Sequence, residues 1–124
     1  MKPVVDIALV ALAGAVGTLL RVGCTALAVR CFGPMFPWGT LAVNVAGSFA
    51  FGAIYSAVRS RGLPSELDAI LLVGLLGGFT TYSSFAFQSV EMAESGRGPA
   101  AAAYVIATTL LGLAAAWAGL RCFR

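Results

Sequence analysis

Residues 69–90 read Ala69-Ile-Leu-Leu-Val-Gly-Leu-Leu-Gly-Gly-Phe-Thr-Thr-Tyr-Ser-Ser-Phe-Ala-Phe-Gln-Ser-Val90, without one charged side chain. A helix needs about 20 apolar residues to cross a bilayer, so the run is long enough to span. Its centre, Gly77-Gly-Phe-Thr-Thr81, sets two glycines and two threonines in the middle of an apolar stretch. That pattern predicts a membrane helix broken near the midplane, because glycine weakens a helix and backbone freed there needs polar partners. Three further apolar runs surround it. The predicted spans cover about residues 4–29, 38–58, 67–91 and 99–121. Cys31–Trp38 with Pro34 and Pro37, Arg59–Ser65, and Glu91–Pro99 separate them. The expectation is an all-α membrane protein with four transmembrane helices in a single domain over residues 1–124.

Composition agrees. Of 124 residues 60% are hydrophobic and 10% charged, and the mean hydropathy is +0.93. A soluble domain carries roughly a quarter charged residues, so this chain has too little polar surface to cover itself in water. The net charge of +3 does not point to nucleic acid, since the basic residues lie mostly between and beyond the apolar runs, where membrane loops carry them. Lys2, Arg59, Arg61, Arg121 and Arg124 fall on one side, Arg30 and Arg97 on the other, a modest bias for both termini inside. The absence of histidine excludes a Ser-His-Asp triad and histidine-held metals. Cys24, Cys31 and Cys122 have neither metal-ligand nor disulfide spacing and read as small apolar fillers. No acidic residue lies deep in a span, which weakens a proton-coupled exporter, and no general base has a credible partner, so an enzyme is not expected.

The residues able to carry chemistry cluster around Gly77–Thr81. Carbonyls ending the first half of a broken helix suit a small hard cation such as sodium, and N–H groups opening the second half suit an anion. The alternative is a kinked helix whose threonines satisfy the backbone. Phe79, Tyr82 and Phe85 recur every three residues beside Ser83 and Ser84. Such a stripe is either packing or a row of ring edges, whose partial positive charge meets an anion without trapping it. Asn44 is the polar side chain of the second span, read as an anion donor or as an interhelical hydrogen bond. Tyr104 and Thr108, one turn apart on the fourth span, form a polar track or bond locally. Arg21 anchors the first span by snorkelling outward, pairs with an acceptor, or raises the local positive potential for an anion. The pairs Gly14/Thr18, Ser48/Gly52 and Gly74/Gly78 have close-packing spacing, within one subunit or between subunits of a homo-oligomer.

Taken together, Gly39-Thr-Leu-Ala-Val-Asn44, Gly47-Ser-Phe with Gly52, Gly77-Gly-Phe-Thr-Thr-Tyr-Ser-Ser-Phe85 and the Gly17 to Arg21 run resemble the signature stretches of the CrcB/Fluc fluoride channels. The resemblance covers all four spans. It implies an antiparallel, dual-topology homodimer in the cell inner membrane with two fluoride pores, each lined by both subunits. It implies passive fluoride export that lowers cytoplasmic fluoride, which enters as neutral HF. It also implies a structural sodium ion at the dimer centre, held by backbone oxygens of Gly77 and Thr80 and not transported. Asn44, Tyr82, Phe85, Tyr104 and Thr108 match the family's pore positions, with Ser83 beside them, and Arg21 matches the arginine of its first helix. Tyr82 and Ser84 replace the usual phenylalanine and threonine, Gln88 stands where glutamate is frequent, and Gly112 stands where a track serine is expected. These departures bear on rate, and they leave room for a second, complementary subunit. The rival readings are a coupled small-ion or small-molecule transporter and a non-transporting assembly subunit.

Overall fold

A computed structural model describes residues 3–124, with side chains from residue 6 onward; Lys2 of the charge count lies outside the described residues. Helix α1 spans Pro3–Phe32 and α2 spans Trp38–Ser60. A π-helical segment, Asp68–Leu76, runs into the short helix α3, Gly77–Phe79. Helix α4 spans Tyr82–Glu94 and α5 spans Gly98–Arg121. Among the described residues four stretches are long and apolar enough to cross a membrane: Asp6–Phe32, Trp38–Ser60, Asp68–Glu94 and Gly98–Arg121. There is no strand among the described residues.

Punctuation in the sequence places the helix ends. Gly62 and Gly96 take left-handed backbone, with φ of 61° and 79°. Each lets two N–H groups turn back on the preceding helix: Leu63 to Val58 O at 2.9 Å and Gly62 to Arg59 O at 3.3 Å, then Arg97 to Met92 O at 2.9 Å and Gly96 to Ala93 O at 3.2 Å. Carbonyls that would otherwise be orphaned at the helix ends are thereby satisfied. Pro99 sits in the first turn of α5, where its missing N–H costs nothing.

Small residues decide which helices touch. A Cβ at Gly74 would lie 2.8 Å from Val10 O, and one at Gly78 would collide with the backbone of Gly14. These contacts advance together along both helices, so α1 runs parallel to the third span. Likewise Gly112 faces the Ser48 hydroxyl and Gly52 faces the Ala116 carbonyl, contacts that again advance together, so α2 runs parallel to α5. All three small-residue pairs of the sequence therefore pack within the chain. Without a hydrophobic drive in lipid, close backbone approach supplies the dispersion contact that holds such pairs. The fully buried large side chains are few, Tyr104 and Val43, while Ile7, Leu12, Leu19 and Leu113 are more than half exposed, as an apolar solvent permits.

Between α3 and α4, Thr80 (φ −89°, ψ 162°) and Thr81 (φ −152°, ψ 116°) have extended backbone. Nothing in the side chains of Asp68–Leu76 explains why that segment winds more widely than an α-helix.

Candidate functional site

Two extended residues inside a span free backbone groups that lipid cannot solvate. Side chains from two other helices take them up. Asn44 of α2 grips both faces of Thr81: Thr81 N–H donates to Asn44 Oδ1 at 2.8 Å, and Asn44 Nδ2 donates to Thr81 O at 2.9 Å. In a continuous helix the Thr81 N–H would point to Gly77 O. Arg21 of α1 donates through Nε to Gly78 O at 3.0 Å. The Thr80 hydroxyl donates to Leu76 O at 2.8 Å, which also accepts the Thr80 N–H at 3.0 Å. The Thr81 hydroxyl accepts the Ser84 N–H at 3.2 Å and so caps α4. Asn44 thus makes the interhelical hydrogen bond that its sequence position allowed, and one amide N–H remains for another acceptor.

Beside this clamp lies an open groove of about 510 Å³. Asn44, Ser48, Thr81, Tyr82, Phe85 and Thr108 line it, with no charged side chain in its wall. The Thr108 hydroxyl oxygen is buried and has no hydrogen-bond partner. The rings of Tyr82 and Phe85 stand 5.8 Å apart and are tilted by 58°. Ser48 donates its hydroxyl to Asn44 O at 2.7 Å, which occupies its proton.

The structure separates some residues that the sequence grouped. Tyr104 is wholly buried and donates its hydroxyl to Gln88 Oε1 at 2.9 Å. Its ring packs on Phe85 and, edge-on, on Phe36, both at 5.4 Å. Thr108 reaches the groove, whereas Tyr104 sits behind Phe85. Ser83 is exposed, with its hydroxyl 3.5 Å from that of Thr81. Arg21 faces a second cavity, also of about 510 Å³, which includes Thr40, Thr81, Gln88, Glu91 and Arg97. Thr81 lines both cavities. Arg97 closes part of the second by donating to the carbonyl of Met35. Arg21 takes the acceptor that its sequence position allowed, whereas sequence reasoning missed the Tyr104 hydrogen bond to Gln88 and the contact of Arg97. The signal was faint: a glutamine near the end of a span.

No cluster of three or more acidic, cysteine or histidine side chains exists among the described residues. A cation here would rely on neutral oxygens. Gly77 and Thr80 both line the groove wall, and their backbone carbonyls are hard donors of the kind that sodium takes where a membrane helix unwinds. Two oxygens from one chain fall short of the roughly six or more that a hard cation gathers.

Residues 8–120 match the family described as CrcB-like protein, Camphor Resistance (CrcB). A relative in Anaeromyxobacter dehalogenans, named fluoride-specific ion channel FluC, is 50% identical over 111 residues, covering 89% of this chain and 88% of that one. Relatives of the same name in Rhizobium etli and Agrobacterium fabrum are each 44% identical over 117 residues, covering 94% of both chains.

Proposed function

We propose that this chain, which belongs to the CrcB-like protein family, is a fluoride-selective ion channel and not an enzyme, a multi-pass membrane protein passing fluoride down its own gradient. The observation that carries this reading is the unpartnered Thr108 hydroxyl in an uncharged groove beside Tyr82 and Phe85. Fluoride is small and strongly hydrated, so a dry path must replace its water with donors. A lysine or arginine there would hold it too tightly to leave, whereas a hydroxyl, a spare amide N–H and positive ring edges offer weak, serial contacts. Thr108, the free N–H of Asn44, Tyr82 and Phe85 are the groove's contributions. Tyr104 shapes the path from behind Phe85, Arg21 holds the carbonyl of Gly78, and Ser83 stands at the opening of α4.

The extended pair Thr80–Thr81 is read as the break of the third helix at the membrane midplane. The groove opens on an otherwise apolar surface, and polar atoms there are costly against lipid. A second copy in antiparallel orientation covers it, giving a dual-topology homodimer in the cell inner membrane; a complementary partner subunit is the heteromeric variant of the same arrangement. Carbonyls of Gly77 and Thr80 from both copies would hold a structural sodium ion, which bridges the subunits. Passive conduction exports fluoride whenever cytoplasmic fluoride, accumulated from HF entry, exceeds that outside.

The test is fluoride release from proteoliposomes read by an electrode, with chloride as control and with proton and sodium gradients clamped in turn. Fluoride release under its own gradient alone, without chloride release, is expected. Flux that requires an imposed proton or sodium gradient would assign a coupled transporter instead.

A further inference from the structure

The parallel α2 and α5 end side by side, and three arginines at those ends lie over aromatic rings. Arg59 stacks on Tyr55 at 3.9 Å, Arg61 on Phe123 at 5.3 Å and Arg121 on Trp117 at 5.2 Å. The Arg61–Phe123 contact ties the two helix ends together. The left-handed turn at Gly62 fixes the Arg61 backbone as the α2 cap.

The three differ in charge balance. Asp68 neutralises Arg59, with Oδ2 and Oδ1 at 3.0 and 3.4 Å from Nη1. Arg61 and Arg121 are exposed and pair with no carboxylate among the described residues. A ring under a guanidinium occupies one face and leaves the N–H edge free, and that edge matches a phosphate oxygen pair. Stacking also limits the side-chain freedom lost on binding.

We propose that Arg61 and Arg121, at the adjoining ends of α2 and α5, clamp the phosphodiester of an anionic phospholipid. The ligand is a lipid rather than a soluble anion because of where the pair stands. Arg121 sits in the last turn of one span and Arg61 caps the end of another, and Trp117, 62% exposed one turn below Arg121, is placed as an interfacial anchor beside which acyl chains run. The opposite end is built differently: there Arg97 spends its donor on the Met35 carbonyl and shares a cavity with Glu91. The site does not depend on what the channel conducts.

The chain's two tryptophans, Trp38 and Trp117, start α2 and close α5, at opposite ends of the molecule. Each can report its own surroundings. Trp38→Phe leaves Trp117 as the sole tryptophan, excited apart from the tyrosines, and Trp117→Phe leaves Trp38 while keeping a ring under Arg121. The experiment measures quenching in bilayers doped with brominated phosphatidylglycerol or brominated phosphatidylcholine. Trp117 is expected to prefer the phosphatidylglycerol by roughly five-fold for each arginine engaged. That preference should fall in Arg61→Gln and Arg121→Gln, fall with added salt in the unmutated pair, and persist in Arg30→Gln, at the end of α1. Trp38 should show the smaller preference. Equal quenching of Trp117 by the two lipids, or a preference unchanged in both glutamine variants, overturns the proposal. So does loss of the preference on adding inorganic phosphate at constant ionic strength, which would assign the arginines to a soluble anion.

Discussion

Two cavities of about 510 Å³ meet at Thr81, and they differ in charge. One contains Arg21, Glu91 and Arg97; the other has no charged side chain and offers Asn44, Thr108 and ring edges. A charged cavity acts at range, raising the local concentration of an ion, and salt screens it. An uncharged groove acts only by contact and holds an ion weakly enough to release it. On the proposed function, attraction and passage fall to separate places, with Thr81 in the wall of both cavities and Asn44 holding its backbone.

That division can be broken most severely at the wall. Asn44→Ala strips partners from both the N–H and the C=O of Thr81, at about 1–3 kcal/mol for each buried group. Loss of the folded state in detergent, or loss of nearly all flux, is expected in a thermal melt and a proteoliposome assay. A folded, fully active variant would remove the clamp from the account. Next in size is Thr108→Val, which keeps shape and deletes one unpartnered hydroxyl. Thermal stability should hold or rise, by about 1 kcal/mol, because an unsatisfied polar atom disappears. Fluoride flux should fall about tenfold, the equivalent of one lost hydrogen bond near 1.4 kcal/mol. Stability and flux moving in opposite directions would separate a conduction role from packing.

Smaller effects belong to the charged side. Arg97→Gln should lower flux by about two- to five-fold at low ionic strength and by less at 0.5 M salt, since exposed charges are screened within roughly one Debye length. An effect independent of salt would mean that Arg97 acts through its bond to Met35 alone. The smallest flux change is expected from Tyr104→Phe, because that hydroxyl donates to Gln88 behind Phe85 and away from the groove. A cost of about 1 kcal/mol in stability with flux within twofold of the parent is the expected result. A large flux loss would return Tyr104 to the conduction path.

Much of the frame was legible in the chain. Apolar runs bounded by prolines, glycines and arginines located the long helices to within a few residues, since bilayer thickness sets helix length. Gly74, Gly78 and Gly52 were legible as close contacts, but whether they met their own chain or another depends on distances no pattern holds. The site was legible in composition and illegible in pairing. Asn44 was visible as a polar residue needing a partner, yet its partner lies 37 residues away, at Thr81. Arg21 reaches across 57 residues to Gly78. Helical periodicity put Tyr104 and Thr108 on one face correctly. It could not show that Phe36 and Phe85 cover the first while the second faces a groove. The wide winding of Asp68–Leu76 has no mark in the sequence that we recognise.

The measurement that bears most directly on the central claim is fluoride and chloride efflux side by side for the parent chain and Phe85→Ile, at matched protein and with each variant shown to be folded. The account predicts rapid, chloride-free fluoride efflux from the parent under its own gradient. It also predicts a loss of at least about tenfold when the ring edge is replaced by an aliphatic chain of similar bulk. Undiminished fluoride efflux from Phe85→Ile would contradict passage through this groove, and absence of fluoride efflux from the well-folded parent would contradict the channel itself.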